Sequence, residues 1–143
     1  MVSIESSLLY QLTTWRVVPI LMRLTGGRFA GLLPVPVGVL DTRNPRNGSR
    51  HRRAVVYFHD GNRVIVTPSK AGLPDHPFWY QNAVADPDVI FEAEPYRVEV
   101  VEDPASQERL WALADRVHGA SAIYRERAAK FGRVIPILRL TPR

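Results

Sequence analysis

A run of arginines between residues 43 and 53 is the part of this sequence whose residue types most directly suggest chemistry. Five arginines fall within these eleven residues, which contain no acid. The whole chain has a net charge of +5, so without these five arginines its basic and acidic residues would balance. A guanidinium group matches a phosphate or carboxylate with two parallel hydrogen bonds, and backbone N–H groups in a turn can add to such a site. The segment therefore predicts an oxyanion-binding loop, with a merely solvated charged face as the alternative.

A second candidate is the tetrapeptide Ser-Lys-Ala-Gly at residues 69–72, which places a hydroxyl, an ammonium and a glycine directly after an apolar strand. Such a turn can point backbone N–H groups at the anionic part of a ligand. The two segments flank the same predicted hairpin, residues 54–67, at the start of its first strand and the end of its second. Because antiparallel pairing brings these two ends together, we expect both segments at one end of the sheet.

Other kinds of site find little support in the sequence. The chain has no cysteine, and its four histidines lack the paired spacing of a zinc site, so no metal centre is expected. No nucleophile and base, and no pair of carboxylates, can be recognised. Aromatic residues are not interleaved with the basic run, so nucleic acid is not the expected partner. Any chemistry must then be brought by a bound cofactor.

The first predicted element is a helix over residues 6–24, where apolar residues recur at a spacing of three and four. Two glycines at positions 26 and 27 end it. Polar residues interrupt the helix before it reaches the roughly 20 apolar residues of a membrane span. It can pack on the rest of the protein or lie in a membrane interface, and we expect packing. No signal peptide is indicated.

From residue 33 the pattern changes to strands, which we expect at residues 35–40, 54–59, 63–67, 89–93, 96–101 and 134–140. Asp60-Gly61-Asn62 is the predicted hairpin turn between the second and third strands. Helices are expected over residues 77–85, 103–119 and 121–130. Pro136 suggests an edge or a bulge in the last strand. Short connections between the strands favour an α+β class with an antiparallel barrel or half-barrel.

Residues 40–82 resemble a known family. The basic segment, the run Val-Val-Tyr-Phe-His-Asp-Gly-Asn-Arg-Val-Ile-Val at 55–66, Ser-Lys-Ala-Gly, and His-Pro-Phe-Trp-Tyr-Gln-Asn at 76–82 are similar to the deazaflavin-dependent nitroreductases. Weaker similarity covers about the last hundred residues. Members have a split β-barrel related to FMN-binding flavin reductases, and use reduced coenzyme F-420 to transfer hydride to quinones, nitroaromatics or other acceptors.

The resemblance implies an oxidoreductase with a single-domain, six-stranded, mostly antiparallel split β-barrel and flanking helices. The N-terminal amphipathic helix and linker would take residues 1–32, and the barrel residues 33–143. The implied cofactor is F-420, with FMN less favoured. The implied partner is a small apolar acceptor such as a quinone or nitroaromatic.

The resemblance also assigns roles to individual residues. The residues that would bind the cofactor's phosphate and polyglutamate are Arg46, Asn47, Gly48, His51, Arg52 and Arg53. A second contact on the phosphate side falls on Ser69, Lys70, Ala71 and Gly72. The ring would be lined by Val55, Val56 and Tyr57 and supported by Trp79 and Asn82. Tyr124 would shape the acceptor pocket, and Tyr57 and Tyr124 are the candidate catalytic residues.

The basic segment departs from the family's usual loop, Gly-Arg-Lys-Ser-Gly. Pro45 stands where an arginine is usual, Asn47 replaces a serine, and His51 replaces a later arginine. The alternative to an enzyme is therefore a non-catalytic barrel that binds flavin, haem or a lipid-like anion. We expect a cytoplasmic protein. The sequence leaves open a homodimer, and a peripheral membrane contact through the first helix.

Overall fold

The structure, a computed structural model, describes residues 35–143. Its centre is a sheet of six antiparallel strands: β1 Val37–Arg43, β2 Arg50–Asp60, β3 Arg63–Val66, β4 Asp88–Phe91, β5 Glu94–Val100 and β6 Leu138–Pro142. Their order is β1-β2-β3-β6-β5-β4, and pairing of β4 with β1 closes the sheet into a barrel. Three helices, α1 Phe78–Ala85, α2 Pro104–Val117 and α3 Ser121–Ala129, flank it. The expected α+β class and six-stranded antiparallel barrel are confirmed.

Alternation along β2 shows how the barrel wall separates the interior from two apolar clusters on its outer side. Val55 packs in the interior with side chains from the other strands, and the partly buried Tyr57 packs against this core. Ala54 and Val56 belong to a separate cluster on the outer side of β1 and β2. Phe58 packs with residues of α2. Successive side chains of a strand point to opposite faces, so each side chain of β2 lies either inside the barrel or on its outer side.

The β2–β3 hairpin forms as expected, with Asp60 paired to Arg63 and Gly61 in a left-handed conformation at φ 64°. The expected start of β2 at residue 54 is wrong, because the strand begins at Arg50. Residues 50–53 pair with residues 40–43 of β1, which is itself longer than expected. The ladder therefore continues through most of the arginine run, and only residues 44–49 form the loop.

The last strand also differs from the expectation. It begins at Leu138 rather than at residue 134, so Pro136 lies outside the strand and the expected edge or bulge is wrong. Proline has no N–H for a ladder bond, which explains why pairing starts only after it. Val101 donates its N–H to Ile137 O at 2.9 Å and thereby holds this extended segment.

The three helices agree with the expected positions to within about two residues. Asp103 Oδ2 accepts the N–H of Ser106 at 2.9 Å and caps α2, whose first helical residue is Pro104. Leu110 of α2 packs on the outside of the barrel. None of the helices in this part of the chain is long and apolar enough to cross a membrane. The helix expected over residues 6–24 lies outside the described residues.

Candidate functional site

The turn between β1 and β2, residues 44–49, has a backbone shape set by its own hydrogen bonds. Asn44 Oδ1 accepts the N–H of Arg46, and Asn47 Oδ1 accepts the N–H of Ser49, both at 2.9 Å. Gly48, at φ 70°, donates its N–H to Asn44 O at 2.8 Å. These N–H groups are therefore engaged inside the turn. An anion bound at this turn would therefore have to be held mainly by side chains.

The arginines of β2 have an acidic partner that sequence reasoning missed. Asp41, only 6% exposed, accepts a hydrogen bond on Oδ2 from Arg50 Nη1 at 3.3 Å and from Arg52 Nε at 3.1 Å. Asp41 lies two residues before the arginine run, and β1–β2 pairing sets it opposite Arg52. Antiparallel pairing of the arginine run with the preceding strand would have placed Asp41 opposite Arg52. Among residues 35–143, Arg43, Arg46 and Arg53 form no ion pair.

His51 lies on the opposite side of β2 from Arg50 and Arg52, next to helix α1. Thr42 Oγ1 donates to His51 O at 3.4 Å and accepts from Asn82 Nδ2 at 3.3 Å. The exposed ring of Phe78 meets the His51 ring edge-on at 6.5 Å. Burial, and secondarily the charge of Arg53, lower the pKa of His51 below its ordinary value. These contacts bring His51 and Asn82 into one neighbourhood, and the lowered pKa favours the neutral form of His51.

The second segment forms a helical turn, Lys70–Gly72, with all three residues in the left-handed region at φ 46°, 55° and 75°. Left-handed backbone is unfavourable for Lys70 and Ala71, which carry a Cβ. Two groups of α3 hold the turn: Arg127 Nη1 donates to Ala71 O at 3.0 Å, and Gly72 packs against Tyr124 O. A Cβ on Gly72 would lie 2.5 Å from that oxygen. The turn is therefore seated on α3.

Arg133 is a second residue of this site whose role the sequence did not indicate. It is 7% exposed, and its guanidinium donates to the carbonyl oxygens of Pro68, Ser69 and Leu73. Its Nε donates to His76 Nδ1 at 3.1 Å. Burial lowers the pKa of Arg133, while the charge of Asp75 opposes that shift. An arginine stays protonated nonetheless. No sequence signal distinguished it from the other arginines.

The basic turn and the Lys70–Gly72 turn lie toward the same end of the hairpin but do not meet. Strand β3 ends opposite Tyr57, whereas β2 starts seven residues earlier, at Arg50. Seven residues span at most about 23 Å along a strand. None of the hydrogen bonds, ion pairs or ring contacts within residues 35–143 joins the two turns. A ligand that reaches both must be extended.

The residues expected near a flat ring fall into different places. Val55 and Trp79, which is 2% exposed, are both part of the barrel core, and Tyr57 packs against that core with its ring 5.1 Å from Phe91. Val56 is on the outer side. Tyr124, 5% exposed, lies in a cluster with Ala71, Ala120, Ala128 and Ile135. The structure therefore does not bring Tyr57 and Tyr124 into one cluster, and Val55 and Val56 face opposite ways.

Two cavities adjoin these residues. One, of about 290 Å³, is polar and lies beside the basic turn, where it is lined by Asp41, Thr42, Arg43, Arg50, Asp86, Asp88, Val89, Ile90 and Arg143. The other, of about 360 Å³, is mostly apolar and is lined by residues 100–102, Gln107, Trp111 and residues 134–137. Ile135 also belongs to the cluster that contains Tyr124, and Trp111 packs against that cluster. In the described part of the chain no group of His, Asp and Glu side chains could hold a metal ion.

Comparison with known proteins agrees with this architecture. Residues 14–142 match the family model described as F-420H(2)-dependent quinone reductase. An F-420H(2)-dependent quinone reductase of Mycobacterium tuberculosis is 29% identical over 126 residues, which cover 83% of each protein.

Two solved structures share the fold. An F-420-H2 dependent reductase, FDR-A, has a TM-score of 0.64 and 23% identity over 73% of this chain and 93% of that chain. A chain described as a domain-swapped dimer has a TM-score of 0.67 and 21% identity over 87% of this chain and 96% of that chain. Because the family model spans most of its length, the protein belongs to the F-420H(2)-dependent quinone reductase family.

Proposed function

We propose that this protein is an oxidoreductase that binds reduced F-420 and uses it to reduce an apolar acceptor of the quinone type. The observation that carries this proposal is the family match across residues 14–142. The structure fits such a cofactor, because two separate turns carry basic side chains that have no acidic partner among residues 35–143. An extended anionic molecule needs charges spaced along its length in that way.

The anionic tail of the cofactor is proposed to lie against the basic turn and Lys70. Arg46 is exposed and forms no ion pair within the described residues, so its whole guanidinium can bind a phosphate or carboxylate. Arg52 donates to Asp41 only through Nε, which leaves both of its Nη groups available to the ligand. Lys70 adds a point charge from the second turn. Asn47, Gly48, His51, Arg53 and residues 69, 71 and 72 complete the proposed surface.

The ring of the cofactor is proposed to lie where helix α1 meets β1 and β2. The bound reduced deazaflavin supplies the hydride, and the protein supplies placement. Asn82, held by Thr42, offers an amide whose position is set by packing. Trp79 and Val55 support the wall from inside the barrel, and Tyr57 closes its edge. Val56, on the other face, fits this role less well.

The acceptor is proposed to bind against the ring of the cofactor, because hydride passes directly from one molecule to the other. The apolar cavity of about 360 Å³ shares no lining residue with the proposed ring site, so it is not assigned to the acceptor. A contact of Tyr124 with the acceptor stays a prediction. A homodimer, a cytoplasmic location and a membrane contact of the first helix stay predictions.

One experiment tests the proposal against its alternative, a non-catalytic binding barrel. The purified protein is titrated with F-420, FMN and haem, and reduced F-420 is then followed by fluorescence after menadione is added. We expect F-420 to bind in preference to the other two and to be oxidised only when protein and menadione are both present. Binding without oxidation would favour the non-catalytic barrel. Absence of F-420 binding would refute the proposal.

A further inference from the structure

The Lys70–Gly72 turn is held from behind by two arginines that the proposed cofactor contacts do not use. Arg127 of α3 donates to Ala71 O at 3.0 Å, and Arg133 donates to the carbonyls of Ser69 at 3.0 Å, Leu73 and Pro68. Together they bind the carbonyl groups on both sides of Lys70. The carbonyl oxygen of Ala71 is therefore directed at α3 and that of Ser69 at the segment after it, while Lys70 O accepts the N–H of Leu73.

The chemistry of Arg133 indicates that it serves this turn. Its hydrogen bonds go to three carbonyls and one histidine nitrogen, and no carboxylate within residues 35–143 accepts a hydrogen bond from it. Burial of a cation without an ion-paired partner is costly unless hydrogen bonds compensate it. Here the compensation comes almost wholly from the backbone of residues 68–73. A group bonded in this way constrains the path of that backbone.

Arg127 can be compared with its neighbour on the same helix. Arg125 makes two bonds of 2.8 Å to Asp115, and its guanidinium lies 4.3 Å from the ring centre of Trp111. The charge of Arg125 is therefore paired with Asp115, in an ion pair that joins α3 to α2. Arg127, two residues later, reaches the turn instead. The two arginines carry the same charge but only one of them touches the residues around Lys70.

We propose that Arg127 and Arg133 are positioning residues that hold Lys70 in its left-handed conformation, and so aim its ammonium at the anionic part of the cofactor. This inference rests on the proposed function. Lys70 and Ala71 sit at φ 46° and 55°, where residues with a Cβ are disfavoured. When the carbonyl bonds are removed, the backbone returns to the right-handed region and the Lys70 side chain leaves its place. The arginines themselves do not contact the ligand.

A double-mutant cycle on cofactor affinity tests this indirect action. The Kd for F-420 is measured for wild type, Lys70→Ala, Arg127→Gln and the double variant, with Arg125→Gln as the control that removes one cation from the same helix. We expect Arg127→Gln to weaken binding by about tenfold and the double variant to be no weaker than Lys70→Ala. Turnover at saturating F-420 should change by less than about twofold, because only binding is affected. Arg125→Gln should bind like wild type.

Two results would overturn the inference. Losses that multiply in the double variant would show that Arg127 binds the ligand itself or acts through general stability. An equal loss in Arg125→Gln would show an effect of net charge alone. Arg133→Lys and Arg133→Gln extend the test, since a lysine restores the charge but cannot reach three carbonyls at once. We expect both to weaken binding.

Amide hydrogen exchange in the free protein supplies a readout that does not need the cofactor. The N–H groups of Gly72 and Leu73 donate to Ser69 O and Lys70 O, so their exchange reports on the turn. Arg127→Gln should speed the exchange of these two amides and leave the β2–β3 ladder unchanged. If Arg127→Gln leaves the exchange of these amides unchanged, the positioning role is refuted, whether or not the wild type binds F-420. Failure of the wild type to bind F-420 would instead count against the proposed function.

Discussion

At the level of single residues, the five arginines of the basic segment are not equivalent. Arg50 and Arg52 bond the buried carboxylate of Asp41, whereas Arg46 stands on the turn without an acidic partner in the described region. An arginine that already neutralises a carboxylate adds less to the local positive potential. The unpaired guanidinium groups should therefore matter most to an anionic ligand, and of Arg43, Arg46 and Arg53 only Arg46 lies on the turn itself.

Replacement of Arg46 with alanine should weaken F-420 binding by roughly tenfold to a hundredfold. A charge-assisted hydrogen bond contributes about 1.5–3 kcal/mol, and about 1.4 kcal/mol corresponds to one decade in Kd. Added salt should weaken the wild type more than Arg46→Ala, because salt screens this contact. Arg109→Ala is the matched control, since Arg109 is paired with Asp60 at the far end of the hairpin. Titration at two ionic strengths measures both effects, and equal Kd values for wild type and Arg46→Ala would contradict the assigned role.

Binding of F-420 should also depend on pH through His51. Its folded pKa lies below the ordinary value of 6.5, first because of burial and then because of Arg53. An anion beside the ring would favour the protonated form, so affinity should increase as the pH falls from about 7.5 to 5.5. In His51→Gln this increase should be lost. The same slope in both proteins would show that His51 does not contact the tail.

Protonation of His51 has the opposite effect on the free protein. Because its folded pKa is below its unfolded pKa, the unfolded state takes up the proton more readily. The free energy of unfolding should therefore decrease as the pH falls below about 6.5, and less so in His51→Gln. Chemical denaturation at several pH values without cofactor separates this effect from binding.

At the level of elements, the Lys70–Gly72 turn and α3 form one unit. Gly72 combines a left-handed backbone with close contact, since an added Cβ would lie 2.5 Å from Tyr124 O and 2.8 Å from Arg127 Cβ. The Tyr124 cluster includes Ala71, so the turn also buries apolar surface against the helix. A change in this turn should therefore disturb α3 as well.

Gly72→Ala should destabilise the protein more than Gly61→Ala. Both glycines are left-handed, at φ 75° and 64°, and a Cβ costs roughly 1–2 kcal/mol in that conformation. A Cβ on Gly61 meets nothing within 4 Å, whereas one on Gly72 collides with α3. The difference between the two variants thus measures packing alone. Denaturant unfolding gives both values, and equal losses would mean that the turn is not seated on α3 in solution.

At the level of the whole molecule, the barrel depends on its last strand. Strand β6 pairs with both β3 and β5, which are otherwise far apart in the sequence. Leu138 and Leu140 are fully buried in the barrel core. Without β6 the sheet would open and expose two unpaired edges together with its interior.

A chain that ends at Ile137 should therefore fail to fold. Loss of β6 removes two ladders and two buried leucines, and each large buried side chain contributes on the order of 2–5 kcal/mol, against a total stability of about 5–15 kcal/mol. A chain that ends at Pro142 is the control, because it loses only Arg143, whose contacts are Pro95 O and Asp88. Circular dichroism and thermal unfolding compare the two. A cooperative transition in the shorter chain would contradict this account of barrel closure.

Local sequence pattern was enough for the fold class, the hairpin turn at Asp60–Arg63, and the three helices. The Asp103 cap with Pro104, and the alternation of apolar residues in β2 and β3, act between residues a few positions apart. Such interactions are visible in a linear sequence. The similarity in residues 40–82 correctly indicated the deazaflavin-dependent reductases.

The arrangement of the candidate site depended instead on contacts between distant residues. Arg133 lies more than sixty residues from Pro68 and Ser69, and the partner of Arg127 is Ala71. The pairing of Asp41 with Arg52 follows from strand register, and a register is known only once both strand ends are known. Burial of Tyr124 follows from the packing of α3 on the turn. Residue types and spacing therefore predicted the groups that could bind an anion, while three-dimensional packing decided which of them are paired with Asp41, because charge pairing acts through space rather than along the chain.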